Sequence, residues 1–448
     1  MGSEWQKRRL EEVGVNLIDC VHATPPASAV GYPYIAIPDM KQGRLDFDSA
    51  RQISEGDLKK WTAKAEPIPD DVVLSRRCNP GETAYVPKGH RFALGQNLVL
   101  LRSNDGDVFP PYLRWLVQGE EWWNEVGRFL NVGAVFDSLR CADVPKFELP
   151  IPPRDAQSAI DRVLRSLDDK IELLRQMNET LEGMARALFK SWFVDFEPVR
   201  KKADGLPTGL PKEIEDLFPG EFEDSELGEI PKGWMLTTVG ELTEKVAMGP
   251  FGSNILVSTF VESGVPVISG KHLGGIFVED SDFKFLTPEH SLRLSGSVVR
   301  RGDIVVTHAG TIGQVSLVPS KSQYDYYNIS QRQFFVRPMQ GTNTANFLTL
   351  FFQSENGQHL LLANASQVGV PSISRPVSYL RTVQLVLPST IVRGHFQKFT
   401  DSVFEQMQAN CHEVRVLSGI RDSLLPKLIS GDLNLTDEMI TQILEPAK

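Results

Sequence analysis

The sequence predicts an α+β fold: two similar α+β domains separated by a pair of long antiparallel coiled-coil helices. Three observations predict it. The chain repeats itself once, at an offset of 232 to 236 residues. Each copy is followed by a stretch whose apolar residues recur in steps of three and four, the mark of a helical seam. Between the first such stretch and the second copy lies an acidic segment punctuated by prolines, where the chain can turn back.

The first copy covers residues 1–153 and the second 231–390. Asp71-Val-Val-Leu-Ser75, Asn79-Pro-Gly81 and Tyr85-Val-Pro87 match Asp303-Ile-Val-Val-Thr307, Thr311-Ile-Gly313 and Leu317-Val-Pro319. Gly31-Tyr-Pro-Tyr-Ile35 matches Gly264-Val-Pro-Val-Ile268, and residues 94–102 match 329–337. Val132-Gly133 matches Val368-Gly369, and Leu149-Pro-Ile-Pro152 matches Leu385-Val-Leu-Pro388. Within each copy, short apolar runs broken by Gly, Pro, Asn and Asp read as strands and turns. One short helix per copy is expected, near residues 111–117 and 345–352.

Residues 154–197 carry Ile160, Leu164, Leu167, Ile171, Leu174, Asn178, Leu181, Ala185, Leu188 and Trp192 at alternating steps of four and three. That is an unbroken a/d seam, with Asn178 placed where a buried amide can specify register. Residues 391–431 repeat the rhythm through Phe396, Val403, Met407, Asn410, Val414, Leu417, Leu424 and Leu428, interrupted at Thr400 and Arg421. Both helices start just past a proline, and Gly431 is placed to cap the second. The two seams are expected to bury each other, and a stiff pair would fix the separation of the domains. Residues 198–230, with Pro198, Pro207, Pro211 and Pro219, are expected to be a linker, and 432–448 a tail.

The composition excludes several classes. Four cysteines lie far apart without a Cys-x-x-Cys spacing, which fits a reducing, cytoplasmic setting and no disulfide scaffold. The apolar runs are strand-sized, short of the roughly 20 residues of a membrane span, and the N-terminal residues show no signal-peptide pattern. Net charge is −10, unusual for a free nucleic-acid binder. The charge is uneven, however: −7 falls on residues 154–230, while 231–390 carries +2. A local basic face therefore remains open to each domain.

The motifs that suggest catalysis fail on their chemistry. Phe109-Pro-Pro-Tyr112 resembles an amino-methyltransferase loop, but phenylalanine stands where a polar residue must accept the amine's hydrogen bond. Gly264…Gly270-Lys271-His272 has five residues between the glycines of a P-loop where four are needed, and His in place of Ser or Thr. Asp39 with Asp57-Leu-Lys59 has the rough form of a nuclease metal site, but the second copy lacks it. The eight histidines show no metal-ligand spacing, so no metal site is expected.

The strings Leu188-Phe-Lys-Ser-Trp-Phe-Val-Asp-Phe196, Glu229-Ile-Pro-Lys-Gly-Trp234 and Leu424-Leu-Pro-Lys-Leu-Ile-Ser-Gly-Asp-Leu433 resemble those of type I restriction-modification specificity subunits. The order of domain, helix, domain, helix is also similar, although Trp5-Gln-Lys-Arg-Arg-Leu10 departs from the form seen before the second copy. The resemblance implies two target-recognition domains reading a bipartite double-stranded DNA target in phage defence. It implies docking of two methyltransferase subunits and of ATP-dependent restriction subunits, and no membrane partner. S-adenosylmethionine, ATP and magnesium would sit on those partners, with no cofactor and no catalytic residue on this chain. The alternative is a recognition chain of another restriction system type, or an adaptor that binds protein and not DNA.

The DNA-reading candidates are polar residues flanking strands. In the first copy these are Arg76, Arg77, Asn79, Lys88, Arg91, Gln96 and Asn97. In the second they are His308, Thr311, Asn328, Ser330, Gln331, Arg332, Ser374 and Arg375. Arg, Asn and Gln read guanine and adenine bidentately, while Ser and Thr position phosphates.

Overall fold

The computed structural model describes residues 5–133, 137–366 and 369–435, apart from the side chain of Ser253. The chain forms two compact units: one made of the residues up to Leu173 and from Glu413 onward, the other of Leu174–His412. Two helices, Arg154–Phe193 and Thr390–Ser430, each contribute to both.

In the first unit an antiparallel sheet has the order Val15–Asp19, Leu98–Ser103, Val72–Ser75, Thr83–Tyr85. The second unit repeats it as Thr243–Met248, Gln333–Pro338, Ile304–Thr307, Val315–Leu317. In both, the inner strands are apolar and buried throughout their centres, as expected of strands covered on both faces. A further sheet in each unit contains a parallel pair: Tyr32–Ile35 with Ala93–Leu94, and Val265–Ile268 with Tyr326–Ile329. A two-stranded ribbon closes each copy, Lys7–Arg9 on Glu148–Pro150 and Met235–Thr238 on Gln384–Leu387.

The duplication extends to single hydrogen bonds. Arg102 grips buried Asp71 bidentately, at 2.8 and 2.7 Å. Arg337 grips buried Asp303 in the same way, at 2.8 and 2.6 Å. Each aspartate also accepts a backbone amide three residues before it, Ile68 and Arg300, at 2.9 Å. The same ion pair thus ties the same two strands in both copies.

The helix seams meet antiparallel in each unit. In the first, Ile160 and Leu164 join Leu428 and Ile429 in one core with Trp115 and Leu116. In the second, Asn178 donates to Met407 O at 3.2 Å and accepts from Asn410 at 2.8 Å, so two amides satisfy each other on the seam. The two interruptions have partners as well. Fully buried Thr400 accepts from Asn346 at 2.9 Å, and Arg421 donates to Asp168 at 2.7 Å. Toward its C-terminal end the first helix buries Phe189, Trp192 and Phe193 and leaves Leu188 only half-buried, because there it packs into a domain core and no longer follows a strict heptad. Gly431 takes the left-handed conformation, φ 84°, that ends a helix.

Residues 198–230 differ from the expected linker. They hold the helix Glu197–Ala203, the turn Lys212–Glu215 and the hairpin Phe222–Ser225/Gly228–Pro231. Val199 and Phe218 are buried with Trp192 and Trp234. The prolines start and separate these short elements: Pro198 stands in the first turn of its helix, where its missing N–H costs nothing. The expected short helices are present at Leu113–Leu116 and Ala345–Gln353. Glu120–Phe129 and Glu355–Leu362 add a second helix to each copy, unforeseen from the sequence. Val368 lies outside the described residues. No described helix is long and apolar enough to cross a membrane.

Candidate nucleic-acid interface

Each copy gathers three loops by one pattern of backbone bonds. In the first unit Arg76 N donates to Asn97 O at 3.0 Å, and Leu139 N donates to Arg76 O at 2.9 Å. In the second, His308 N donates to Arg332 O at 2.9 Å, and Ile373 N to His308 O at 2.8 Å. Loops 75–79, 95–97 and 137–140 therefore converge, as do 307–311, 330–333 and 369–375. The strand ends deliver them. Val72–Ser75 and Ile304–Thr307 are central strands, so the residues just beyond them emerge at one edge of the sheet.

In the second unit this edge presents Thr311, Gln331, Arg332, Ser374 and Arg375, all exposed. Arg332 and Arg375 form no ion pair among the described residues. Arg375 is held in the left-handed conformation, φ 45°, just before the helix Pro376–Thr382. His308 is half-buried, its Nε2 3.2 Å from Gln331 O. Burial pushes its imidazole below the usual histidine range, so it is neutral at pH 7. With Nε2–H donating to that carbonyl, Nδ1 is an acceptor. Ser330 bonds Gln333, which bonds Thr307, bracing the turn from below. The converging loops contain no Asp or Glu, and Glu355 is the only acid between residues 326 and 400. In a chain of net charge −10 this is a strong local segregation.

The first unit is built alike but populated differently. Arg77, Asn79 and Gln96 are exposed and Asn97 half-exposed. Asn79 donates to Glu82 at 3.1 Å. Arg76 is not on the surface. Its guanidinium turns inward to Leu139 O at 3.4 Å and lies 3.9 Å from Asp19, with its buried Nε unpartnered among the described residues. Lys88 and Arg91 precede the strand Ala93–Leu94, whereas Gln96 and Asn97 follow it. Arg91 is further neutralised by Glu66 at 2.6 Å, so these two residues do not join the cluster. In the second unit Asn328 is also withdrawn: it is fully buried in the strand Tyr326–Ile329 and donates to Ser297 at 3.3 Å. Tyr327 and Asn328, on opposite faces of that strand, are both buried, so the strand is covered on both faces and its polar residue has no route to solvent.

Two loops missed by sequence reasoning join the clusters. His22 lies 3.0 Å from Gln96 O, and Gly249 N donates to Gln333 O at 2.8 Å. Both follow the first strand of the antiparallel sheet of their unit, Val15–Asp19 and Thr243–Met248, and the shared place in the repeat was the signal that could have found them.

Residues 2–183 match the family model described as the type I restriction modification DNA specificity domain. Over 427 residues the chain is 26% identical to the type I restriction enzyme HindI specificity subunit of Haemophilus influenzae, covering 84% of this chain and 88% of that one. Over 455 residues it is 23% identical to the MjaIX specificity subunit of Methanocaldococcus jannaschii, covering 97% and 94%. Along nearly its whole length the chain is therefore similar to type I restriction-modification specificity subunits. Its fold is that of the type I S subunit from M. genitalium, with a TM-score of 0.55 at 14% identity over 96% of this chain and 97% of that one. DNA sequence recognition is the general role of such subunits.

In this chain the residues that suggested chemistry serve local structure. Asp39 accepts from Ala36 N at 2.8 Å, and Asp57 bonds the Ser54 cap of its helix at 2.7 Å. Phe109-Pro-Pro-Tyr112 opens a helix, with Tyr112 fully buried. Asp19, Cys20 and His22 stand within 4.8 Å of one another, close enough to share a metal ion. The charges around them oppose it: Lys64 lies 3.7 Å and Arg76 3.9 Å from Asp19. Burial pushes the Cys20 thiol up to about 11, keeping it protonated. Burial alone would raise the Asp19 carboxyl, but His22, Lys64 and Arg76 hold it below the usual range. The trio therefore suits an internal ion pair better than a cation site.

Proposed function

We propose that this chain is a type I specificity subunit that reads a bipartite double-stranded DNA target, one half-site per unit, through the converging loops, and performs no chemistry itself. The observation that carries the reading is the repeated set of backbone bonds that gathers three loops at one sheet edge in each copy, with unlike side chains displayed on the same frame. A common frame with divergent display is what two independent readers require. The acid-free edge of the second unit suits a phosphate-lined groove. His308, Thr311, Gln331, Arg332, Ser374 and Arg375 are its contacts in the second half-site, and Arg77, Asn79, Gln96 and Asn97 those in the first.

Two methyltransferase subunits dock on the helices and bring S-adenosylmethionine, and restriction subunits bring ATP and magnesium. Apolar side chains left exposed on the helices support this docking: Leu173, Val416 and Ile420 in the first unit, Met177 and Met184 in the second. The complex works in the cytoplasm.

Exchanging residues 231–390 for those of a relative with a different target tests the reading. Sequencing methylated sites should show one half-site changed and the other kept, whereas a wholly new target would overturn the assignment. A finer test is His308→Ala with Arg332→Ala. One bidentate base contact is worth about 1–3 kcal/mol, so binding to the second half-site should weaken several-fold or more, with the first unaffected. An equal loss on random DNA would move these residues to phosphate contact.

A further inference from the structure

The loop that leaves the second cluster is apolar where its surroundings are polar. Its origin is fixed: Gly249 N donates to Gln333 O at 2.8 Å, and a Cβ at Gly249 would fall 2.1 Å from Ser330 O. Only glycine allows the loop to start hard against the turn that displays Gln331 and Arg332. Two residues on, Phe251 is 71% exposed, followed by Leu256 at 48% and Val257 at 83%. The loop is shaped locally. Asn254 donates to Phe251 O at 2.5 Å, and His290, on the helix Pro288–Arg293, reaches Asn254 O at 2.8 Å. No acid occurs between Glu244 and Glu262.

Water-exposed apolar side chains are costly, and three on one braced loop beside an acid-free polar edge point to a partner. The loop starts against the turn that displays Gln331 and Arg332, so the partner assigned to that turn above, DNA, is the one these side chains meet. On the major-groove edge of DNA the apolar group is the thymine C5-methyl. Resting on the reading proposed above, we infer that Phe251, Leu256 and Val257 form a thymine-methyl contact that specifies an A·T pair in the second half-site. The first copy has no aromatic in the matching stretch between His22 and Val30, so the contact belongs to the second half-site alone.

The test uses the complex of the full chain with its methyltransferase subunits and a duplex carrying the site mapped from genomic methylation. Each thymine of the second half-site is replaced in turn by deoxyuridine, which removes one methyl and keeps the base pair. At one position or more, binding should weaken about four-fold, the worth of one buried methyl group, ~0.8 kcal/mol. Phe251→Ala should weaken the thymine duplex about ten-fold, show no further loss on the uracil duplex, and leave the first half-site unaffected. That non-additivity is the signature of direct contact.

Uracil tolerated throughout the second half-site, losses that simply add, or a half-site without an A·T pair would each overturn the inference. So would loss of the methyltransferase from the Phe251→Ala complex with uracil tolerated, which would make the loop a protein-docking surface. If the variant fails to fold, the uracil scan on the unaltered complex decides alone. Absence of sequence-specific binding by the unaltered complex would instead defeat the reading on which the inference rests.

Discussion

Asp168→Asn is expected to destabilise the first unit by about 3–5 kcal/mol, the loss seen when one partner of a buried ion pair is removed. Asp168 is the hub of three arginines from three elements. Its carboxylate bonds Arg114 of the helix Leu113–Leu116 and Arg421 of the second long helix, and lies 4.0 Å from Arg44. The side chains of Asp168 and Arg114 are 5% and 8% exposed, so water cannot take over the solvation. Arg114 is sandwiched further, its guanidinium 3.8 Å from the Tyr85 ring and 4.1 Å from that of Trp115. Burial lowers the Arg114 pKa, and the Asp168 charge opposes that burial cost. An asparagine keeps the shape and removes the charge, leaving Arg114 buried and uncompensated. Hydrogen exchange should show lost protection in residues 85–116 and 413–430, with urea unfolding shifted to lower midpoint. A loss below about 1 kcal/mol, the scale of a surface pair, would refute the hub.

The hub also shows where sequence reasoning reaches. The seam periodicity found both long helices, their direction and the Asn178 register amide, because a helix buries residues at a fixed angular step. The interruption at Arg421 was visible as a break in the pattern. Its meaning was not, since the partner Asp168 lies on the other helix and the arginines that share it come from the domain. The duplication was legible because apolar strands and turn residues repeat in order. Which polar side chains reach the surface was not. Arg76 and Arg77 are adjacent and chemically identical, yet only Arg77 is exposed, because successive residues of an extended chain face opposite ways. Asn328 sits in a strand covered on both faces, a property of packing and not of local sequence. The 249–257 loop carries no polar pattern that marks it in the sequence, since its large exposed side chains are phenylalanine, leucine and valine. In the 198–230 segment composition does not separate a linker from short folded elements, because proline both opens helices and stiffens open chain.

Arg337→Ala is expected to cost the second unit about 3–5 kcal/mol at neutral pH, and Arg102→Ala a comparable or smaller loss in the first. Each leaves a buried aspartate, Asp303 or Asp71, with a backbone amide but no counter-charge. Arg102 is the more exposed arginine, 22% against 13%, so water already shares its role more fully. The pH dependence distinguishes this cause from simple loss of packing. Burial already raises the Asp303 carboxyl above the ordinary aspartate value, although Arg337 and the Arg300 amide pull it down. Without Arg337 it must rise further. A carboxyl whose folded pKa exceeds its unfolded one opposes folding in full above the folded value, and that penalty is relieved as pH falls toward the unfolded value near ~4. The deficit of Arg337→Ala against the parent should therefore shrink from pH 7 toward pH ~4, read as the difference in urea midpoints at each pH. A deficit that stays constant would assign the loss to the arginine's packing on Phe335, 5.3 Å from its guanidinium. The consequence for recognition follows from the chain path. Asp303 immediately precedes the strand that ends at Thr307 and delivers His308, and Arg337 lies on the strand that follows the Gln331–Arg332 turn. Loosening that joint should weaken the second half-site while the first, held by its own Asp71–Arg102 pair, keeps its specificity.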